Sequence, residues 1–412
     1  MLHKYKEVTT RFLRDEERLI LSQEKEMPLV LEAKTHHDVG FLQTFLANHS
    51  KYIIQDIAEY GAVLFRGFTI TTDKQFESII LSIPEFRGIK EAFMAENGRI
   101  HVDDLEYVLH TNSVYKTGGT LYLGGFHTEN YYSTDVPGYI FFYCAKPPVL
   151  GGETGLINTQ KIYDHLDPLL QQKIEKNSFY VAKWLVSEIA ERYGISQERV
   201  EEIATEFNLP IMGTGHQRVV AMYKPCVFIH PHTQKKSLQV NLFELPALNH
   251  YLRKCFKSDY KGKEWFWHRF LWSLPSPVFN ALEYLAIATI AFSHSPKKSY
   301  KILQTKLAHY LADKRTKLMT DKVGTCFNSE DIEKLAQSMR DNYCSCLWQK
   351  GDILLVDNRK VMHAGMPGKG ERTIRAMISN PIAMDYSFQQ SGLLYANERK
   401  TSGVGEQIIV QS

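Results

Sequence analysis

The sequence predicts an α+β fold in which strand-rich zones stand on either side of a mainly helical stretch. Three observations carry that prediction. Residues 111–160 are dense in β-formers and close on a glycine–proline turn cluster. Residues 195–345 have helical spacing with breaks, and residues 347–380 return to short apolar runs separated by glycines. The chain of 412 residues is 44% hydrophobic, 12% aromatic and 23% charged, which suits a folded protein with a sizeable core.

The elements follow in order. "DVGFLQTFLANHSKYIIQDIAEY" places apolar residues three and four apart, the spacing of an amphipathic helix. "GAVLFRGF" is a short apolar run entered and left by glycine, which predicts a buried strand. "GYIFFYCA" reads as a strand and "KPPVLGGET" as the turn after it. Ser196 before "QERVEEIATEF" is a helix N-cap. "PVFNALEYLAIATIAF", Pro277 to Phe292, predicts a buried helix; it holds Asn280 and Glu283 and is shorter than the ~20 residues of a membrane span. "LWQKGDILLVDN" and "RTIRAMISN" predict strands flanking the glycine-rich "HAGMPGKGE".

The net charge of +3 makes no case for nucleic acid or membrane as a partner. The opening twenty residues are polar with no apolar h-region, so no secretory signal is expected, and six scattered cysteines suit free thiols in a reducing cytoplasm. Cys344-Ser345-Cys346 lacks the second pair that zinc sites use. From Arg253 to Lys317 there are 13 basic and 4 acidic residues, 13 − 4 = +9. That stretch reads as a solvated helical face or as a docking surface for an acidic partner such as a carrier protein.

The chemistry centres on "GGFHTEN". In an extended segment residues i and i+2 share a face, so His127 and Glu129 would point together. Two histidines and one carboxylate on one face of an octahedron hold non-haem iron(II) and leave positions open. His363, after the apolar run and turn of "GDILLVDNRKVM", fits the missing histidine. Arg372 and Arg375 follow it by nine and twelve residues on a β-type run. A planar guanidinium suits the far carboxylate of a dicarboxylic co-substrate. Three residues apart on a strand face opposite ways, so only one of the two enters a shared cavity. Two other readings use the same residues. A zinc hydrolase could share the ligands, and a non-catalytic binding protein would be marked by a broken triad.

Several segments, in order, resemble the taurine dioxygenase family of iron(II)/2-oxoglutarate enzymes, in particular its His-x-Glu branch, that of the syringomycin-pathway aspartyl β-hydroxylase. They are "IIQDIAEYGAVLFRGF", "GGFHTENYY" with "PGYIFFYCAKPPVLGGETGLINTQKIYDHL", "HPHTQKKSLQVNLFEL" and "LWQKGDILLVDNRKVMHAGMPGKGERTIRAM". The resemblance implies a double-stranded β-helix, or jelly-roll, core with surrounding helices. It implies an oxygenase domain over residues 28–385, with 250–342 as a mainly helical insertion or lid and with 1–27 and 386–412 as terminal extensions. It implies iron(II) on His127, Glu129 and His363, and 2-oxoglutarate on Thr154 and on Arg372 or Arg375, with Arg372 favoured. Dioxygen is the other co-substrate. The expected reaction is hydroxylation, or alternatively desaturation, at an unactivated C–H in a free or carrier-bound amino-acid-like small molecule; Glu129 fills the position that halogenating relatives leave for chloride. Asn112 is a candidate substrate contact. Arg66 is expected in a structural ion pair, His230 and His232 in a turn beside the substrate channel, and Asp357 and Asn358 holding the turn that presents His363.

Overall fold

The computed structural model describes residues 4–90, 93, 101–111, 123, 125–239, 245, 247–294, 300, 304, 323–383, 393–400 and 404–405. The N-terminal part runs β1 (Val8–Phe12), β2 (Leu29–Ala33), α1 (Val39–Tyr60), β3 (Ala62–Arg66) and α2 (Asp73–Leu81). Then come β4 (Leu109–His110), β5 (Pro137–Lys146), β6 (Leu150–Gly151) and β7 (Thr154–Asn158). They are followed by α3 (Thr159–Asp164), α4 (Pro168–Glu175), β8 (Ser178–Leu185), α5 (Val186–Tyr193), α6 (Gln197–Glu206), β9 (Ile211–Met212), β10 (Val219–Pro225), β11 (Val227–Ile229) and β12 (Lys236–Leu238). Helices α7 (Leu248–Phe256), α8 (Phe266–Trp272), α9 (Ser276–His294) and α10 (Ser329–Asp341) precede the last strands. These are β13 (Tyr343–Cys346), β14 (Ile353–Asp357), β15 (Val361–Gly365), β16 (Gly368–Lys369) and β17 (Thr373–Pro381).

The major sheet has the order β1-β2-β3-β14-β5-β17-β4, and a smaller one the order β13-β7-β15. Strand alternation explains how they stack. Ile140, Phe142 and Cys144 of β5 and Leu354 and Val356 of β14 share one core with Leu156, Cys344 and Cys346 of the smaller sheet. The intervening Tyr139, Phe141, Tyr143, Ile353 and Leu355 pack on the other face, with α1 and α2 residues such as Phe45, Ile57 and Phe76. Beyond the smaller sheet, Ile157 and Tyr343 meet Leu252, Phe256 and Met339 of α7 and α10. The layers are therefore helix, large sheet, small sheet, helix.

Local chemistry sets the boundaries. The Asp38 carboxylate caps α1 by accepting from the Phe41 amide at 2.9 Å. Gly61 ends the helix at φ 81°, where a Cβ would also lie 2.7 Å from Val361. Arg66, 1% exposed, pairs with Glu17 at 2.7 Å and Asp352 at 2.6 Å. This structural ion pair ties β3 to the loop before β14 and to residues upstream of β2. Burial opposes it, but hydrogen bonds from Arg11, the Arg14 amide and Arg66 hold the Glu17 carboxyl down at about 2.

Two sequence expectations change. β9 to β12 interrupt the stretch read as mostly helical, because "VVAMY" of β10 finds a long partner in β8. The apolar run at 277–292 is a helix, α9, but not a buried one: Val278, Leu282, Leu285 and Phe292 are exposed. Cys344 and Cys346 are free thiols that fill the inter-sheet core.

Candidate metal centre

The two histidines meet as a cross-strand pair. His127 and His363 form an isolated antiparallel bridge, with the His127 amide donating to the His363 carbonyl at 3.1 Å and the reverse bond at 3.0 Å. Residues directly opposite on antiparallel strands project to one face, and the two rings stand 4.4 Å apart. His363 lies on β15 opposite Leu156 of β7, so its ring enters the inter-sheet space, edge-on to Phe142 at 5.1 Å.

Glu129 arrives differently from the extended segment expected. The chain turns at 129–130, with Asn130 at φ 51°. The turn still delivers the carboxylate: Glu129 Oε2 lies 3.9 Å from His127 Nε2 and 3.7 Å from His363 Nε2. The three donors all lie within 4.8 Å of one another. His127 Nδ1 donates to the Gly125 carbonyl at 2.8 Å, which fixes the tautomer and leaves the Nε2 lone pair toward Glu129. Two neutral imidazole nitrogens and a largely buried carboxylate oxygen form the donor set that suits iron(II), so the residues fit the metal.

Asn358 locks the turn. Its Oδ1 accepts from the Glu129 amide at 2.6 Å, and its Nδ2 donates to the Glu129 carbonyl at 3.1 Å and the Pro137 carbonyl at 2.8 Å. It therefore holds Glu129 rather than the turn before His363. Asp357 accepts from the Arg359 side chain at 3.0 Å and from His230 Nε2 at 2.8 Å. Burial opposes this, yet the charge of Arg359 and the hydrogen bonds from His230 and Arg359 keep its carboxyl well below the usual range. His230 is fully buried at the head of the expected turn, residues 231–233, and its Nδ1 accepts from the His232 and Thr233 amides.

The arginines separate, Arg375 on β17 and Arg372 just before it. Arg375 is opposite Tyr143 on the outer face and is engaged by Asp73 at 2.8 Å and His110 at 3.1 Å. Arg372 lies two residues before inward-facing Ile374 and donates to the Gly152 carbonyl at 2.5 Å. Among the described residues no carboxylate pairs with Arg372. Burial, opposed by the nearby Cys144 and Glu153, pushes its guanidinium down to about 10. Thr154 pairs with Gly365, two residues from the Leu156–His363 rung and so about 7 Å along the strand. Its Oγ1 accepts from Trp348 Nε1 at 3.2 Å. A half-buried cation without its anion, beside a hydroxyl on the histidine face, fits a dicarboxylate. Asn112 lies outside the described residues.

The description "Taurine catabolism dioxygenase TauD, TfdA family" matches residues 27–263. The chain belongs to the TauD/TfdA family. It is an iron(II)- and 2-oxoglutarate-dependent dioxygenase. The match includes His127, Glu129 and Thr154; His363 and Arg372 join them through the geometry above. The TauD/TfdA chain is similar to dapdiamide synthesis protein DdaC of Enterobacter agglomerans, 22% identical over 350 residues, 83% of this chain and 88% of DdaC. It is also similar to clavaminate synthase-like protein At3g21360 of Arabidopsis thaliana, 22% identical over 353 residues, 82% of this chain and 87% of that protein. Among solved structures, PvcB of Pseudomonas aeruginosa aligns with a TM-score of 0.47 at 13% identity, over 92% of this chain and 94% of PvcB.

Two features escaped the sequence. Trp348, which engages Thr154, had no signal beyond its place in a strand-like run. Glu153 sits fully buried beside Thr154, accepting from Tyr343 at 3.0 Å and Ser345 at 3.3 Å; a charged residue inside the "GGET" turn gave no sign of burial.

Proposed function

We propose that this protein hydroxylates an unactivated C–H bond of an amino acid or amino-acid-derived small molecule, with iron(II) on His127, Glu129 and His363. The observation that carries the reading is the cross-strand histidine pair with the Glu129 carboxylate turned onto it. The bound metal, with 2-oxoglutarate and dioxygen, supplies the oxidising power; 2-oxoglutarate leaves as succinate and carbon dioxide. The chain's own residues bind and orient. Arg372 and Thr154 take the distal carboxylate of 2-oxoglutarate, the arginine through a charge-assisted pair. Arg375 is committed to Asp73 and takes no part. The inner cation, which pairs with no carboxylate among the described residues, favours this reading over a zinc hydrolase, which has no need of it.

The inter-sheet space, walled by Phe142 and Leu156, is read as the interior of a jelly roll and keeps bulk water from the reacting carbon. The described parts of 250–342, residues 250–294 and 323–342, are read as cover for this end of the molecule, most of 295–322 lying outside the described residues: Trp265 packs on Gly151, where a Cβ would come within 2.8 Å of its ring. The likeness to a protein named for dapdiamide synthesis supports a small specialised substrate. The test is anaerobic reconstitution with iron(II) and 2-oxoglutarate, exposure to oxygen, and measurement of succinate with a panel of free amino acids and their amides. Substrate-dependent succinate with a product heavier by one oxygen supports the reading. Succinate release coupled to no panel member removes the amino-acid assignment, and none at all removes the chemistry.

A further inference from the structure

The stretch around α8 divides its aromatic residues between two faces. Trp265, His268 and Trp272, three and four residues apart, turn inward and pack around Tyr260, with ring centroids 4.8 to 6.3 Å from it. Phe266, Trp267 and Phe270 turn outward, 54%, 66% and 49% exposed. The outward rings touch one another edge-on or stacked, Phe266 to Trp267 at 5.4 Å and Trp267 to Phe270 at 6.0 Å. They form a preassembled aromatic knuckle on a rigid base. Val278, Leu282, Leu285 and Phe292 of α9 are exposed as well. Apolar exposure on this scale marks an interaction surface.

Its chemistry favours a lipid surface. A groove of about 500 Å³ at the foot of the knuckle is lined by Gly262, Lys263, Phe266, Trp267 and Arg269. Lys261 and Lys263 are exposed beside it with one exposed carboxylate, Glu264, and residues 253–272 hold 6 basic and 2 acidic residues, 6 − 2 = +4. Cations beside protruding Trp and Phe match an anionic headgroup above an acyl layer. The whole-chain charge of +3 averages this feature away. No described helix is long and apolar enough to cross a membrane, so the contact is peripheral.

We infer that the α8–α9 face docks the enzyme onto anionic membrane surfaces, with Phe266, Trp267 and Phe270 entering the headgroup layer. The test is co-sedimentation of the full chain with phosphatidylcholine vesicles, with and without 30 mol% phosphatidylserine. Binding is expected only to the anionic vesicles, weakening at least tenfold between 50 and 300 mM salt, about what several released counter-charges give. The Phe266→Ser/Trp267→Ser/Phe270→Ser variant should lose at least tenfold in binding while its thermal transition stays at the wild-type temperature. Wild-type tryptophan emission should shift blue on anionic vesicles, and that of Trp267→Phe should not. No binding at low salt, or undiminished binding by the triple variant, overturns the inference. Concentration-dependent dimerisation, or binding of an acidic carrier protein, that the triple variant abolishes without any vesicle binding also overturns it and assigns the face to protein contact.

Discussion

The Asn358 side chain pairs with both the amide and the carbonyl of Glu129, as a neighbouring strand's peptide group would. A carboxylate ligand on a turn needs such a hold, because no sheet ladder fixes its backbone. Asn358→Ala should lower iron(II) affinity about ten- to a hundredfold, the usual cost of losing a group that orients a metal ligand. Asn358→Asp keeps an acceptor for the Glu129 amide but no donor for the two carbonyls, and should fall between. Anaerobic iron(II) titration beside thermal melting decides the matter. A lowered melting temperature with wild-type iron affinity would leave Asn358 a purely structural role.

His127→Ala, Glu129→Ala and His363→Ala should each abolish stoichiometric iron(II) retention while far-ultraviolet circular dichroism stays unchanged. The three donors come from two separate segments converging within 4.8 Å, so removing one leaves too few protein ligands. Metal analysis after desalting measures this directly. Full retention by Glu129→Ala would place the third ligand elsewhere.

The arginines should part company. Arg372→Ala should raise the KM for 2-oxoglutarate about ten- to a hundredfold, matching the ~1.5–3 kcal/mol of a hydrogen-bonded pair with a charged group. Arg375→Ala, which loses the outer contacts with Asp73 and His110, should leave that KM within about twofold and lower thermal stability slightly. Equal KM effects in both variants would mean that the inner and outer faces of β17 have been exchanged.

The residues that the fold gathers, His127, Glu129 and His363, were legible from short rules, a His-x-Glu triplet and a histidine after an apolar run, although Glu129 reaches its place through a turn and not through the alternation of an extended segment. Arg66 was legible for the same reason, since a charge inside an apolar run must be paired, and Glu17 and Asp352 pair it. Asn358 was only half legible. Its place beside the His363 strand marked it as a supporting residue, but its partner lies 229 positions away, and no local pattern names such a contact. The α8 aromatics failed in a different way. Trp265 and Trp272 are buried while Phe266, Trp267 and Phe270 are exposed, a division between two helix faces that composition does not announce. The same holds for α9, where an apolar run was read as buried although nothing in the run says what lies against it.

Glu153 provides the last prediction, on pH. Its carboxyl is fully buried, and that burial, only partly offset by hydrogen bonds from Tyr343 and Ser345, pushes it up from 4.5 to about 7. Its Oε2 has no partner among the described residues. The folded state therefore keeps the proton over a range where the unfolded chain has lost it. The stabilising effect is complete below pH 4.5 and is lost as pH rises through about 7, by at most roughly 3 kcal/mol. Glu153→Gln keeps the neutral shape and the acceptor for Tyr343 and carries no titrating proton. It should melt higher than wild type at pH 8, by several degrees, and the gap should close below pH 5. Melting curves of both proteins from pH 5 to 8 test this. Parallel curves with a constant offset would show that Glu153 titrates alike in both states, and a lower melting temperature for the variant at pH 8 would show that the charged carboxylate is the stabilising form.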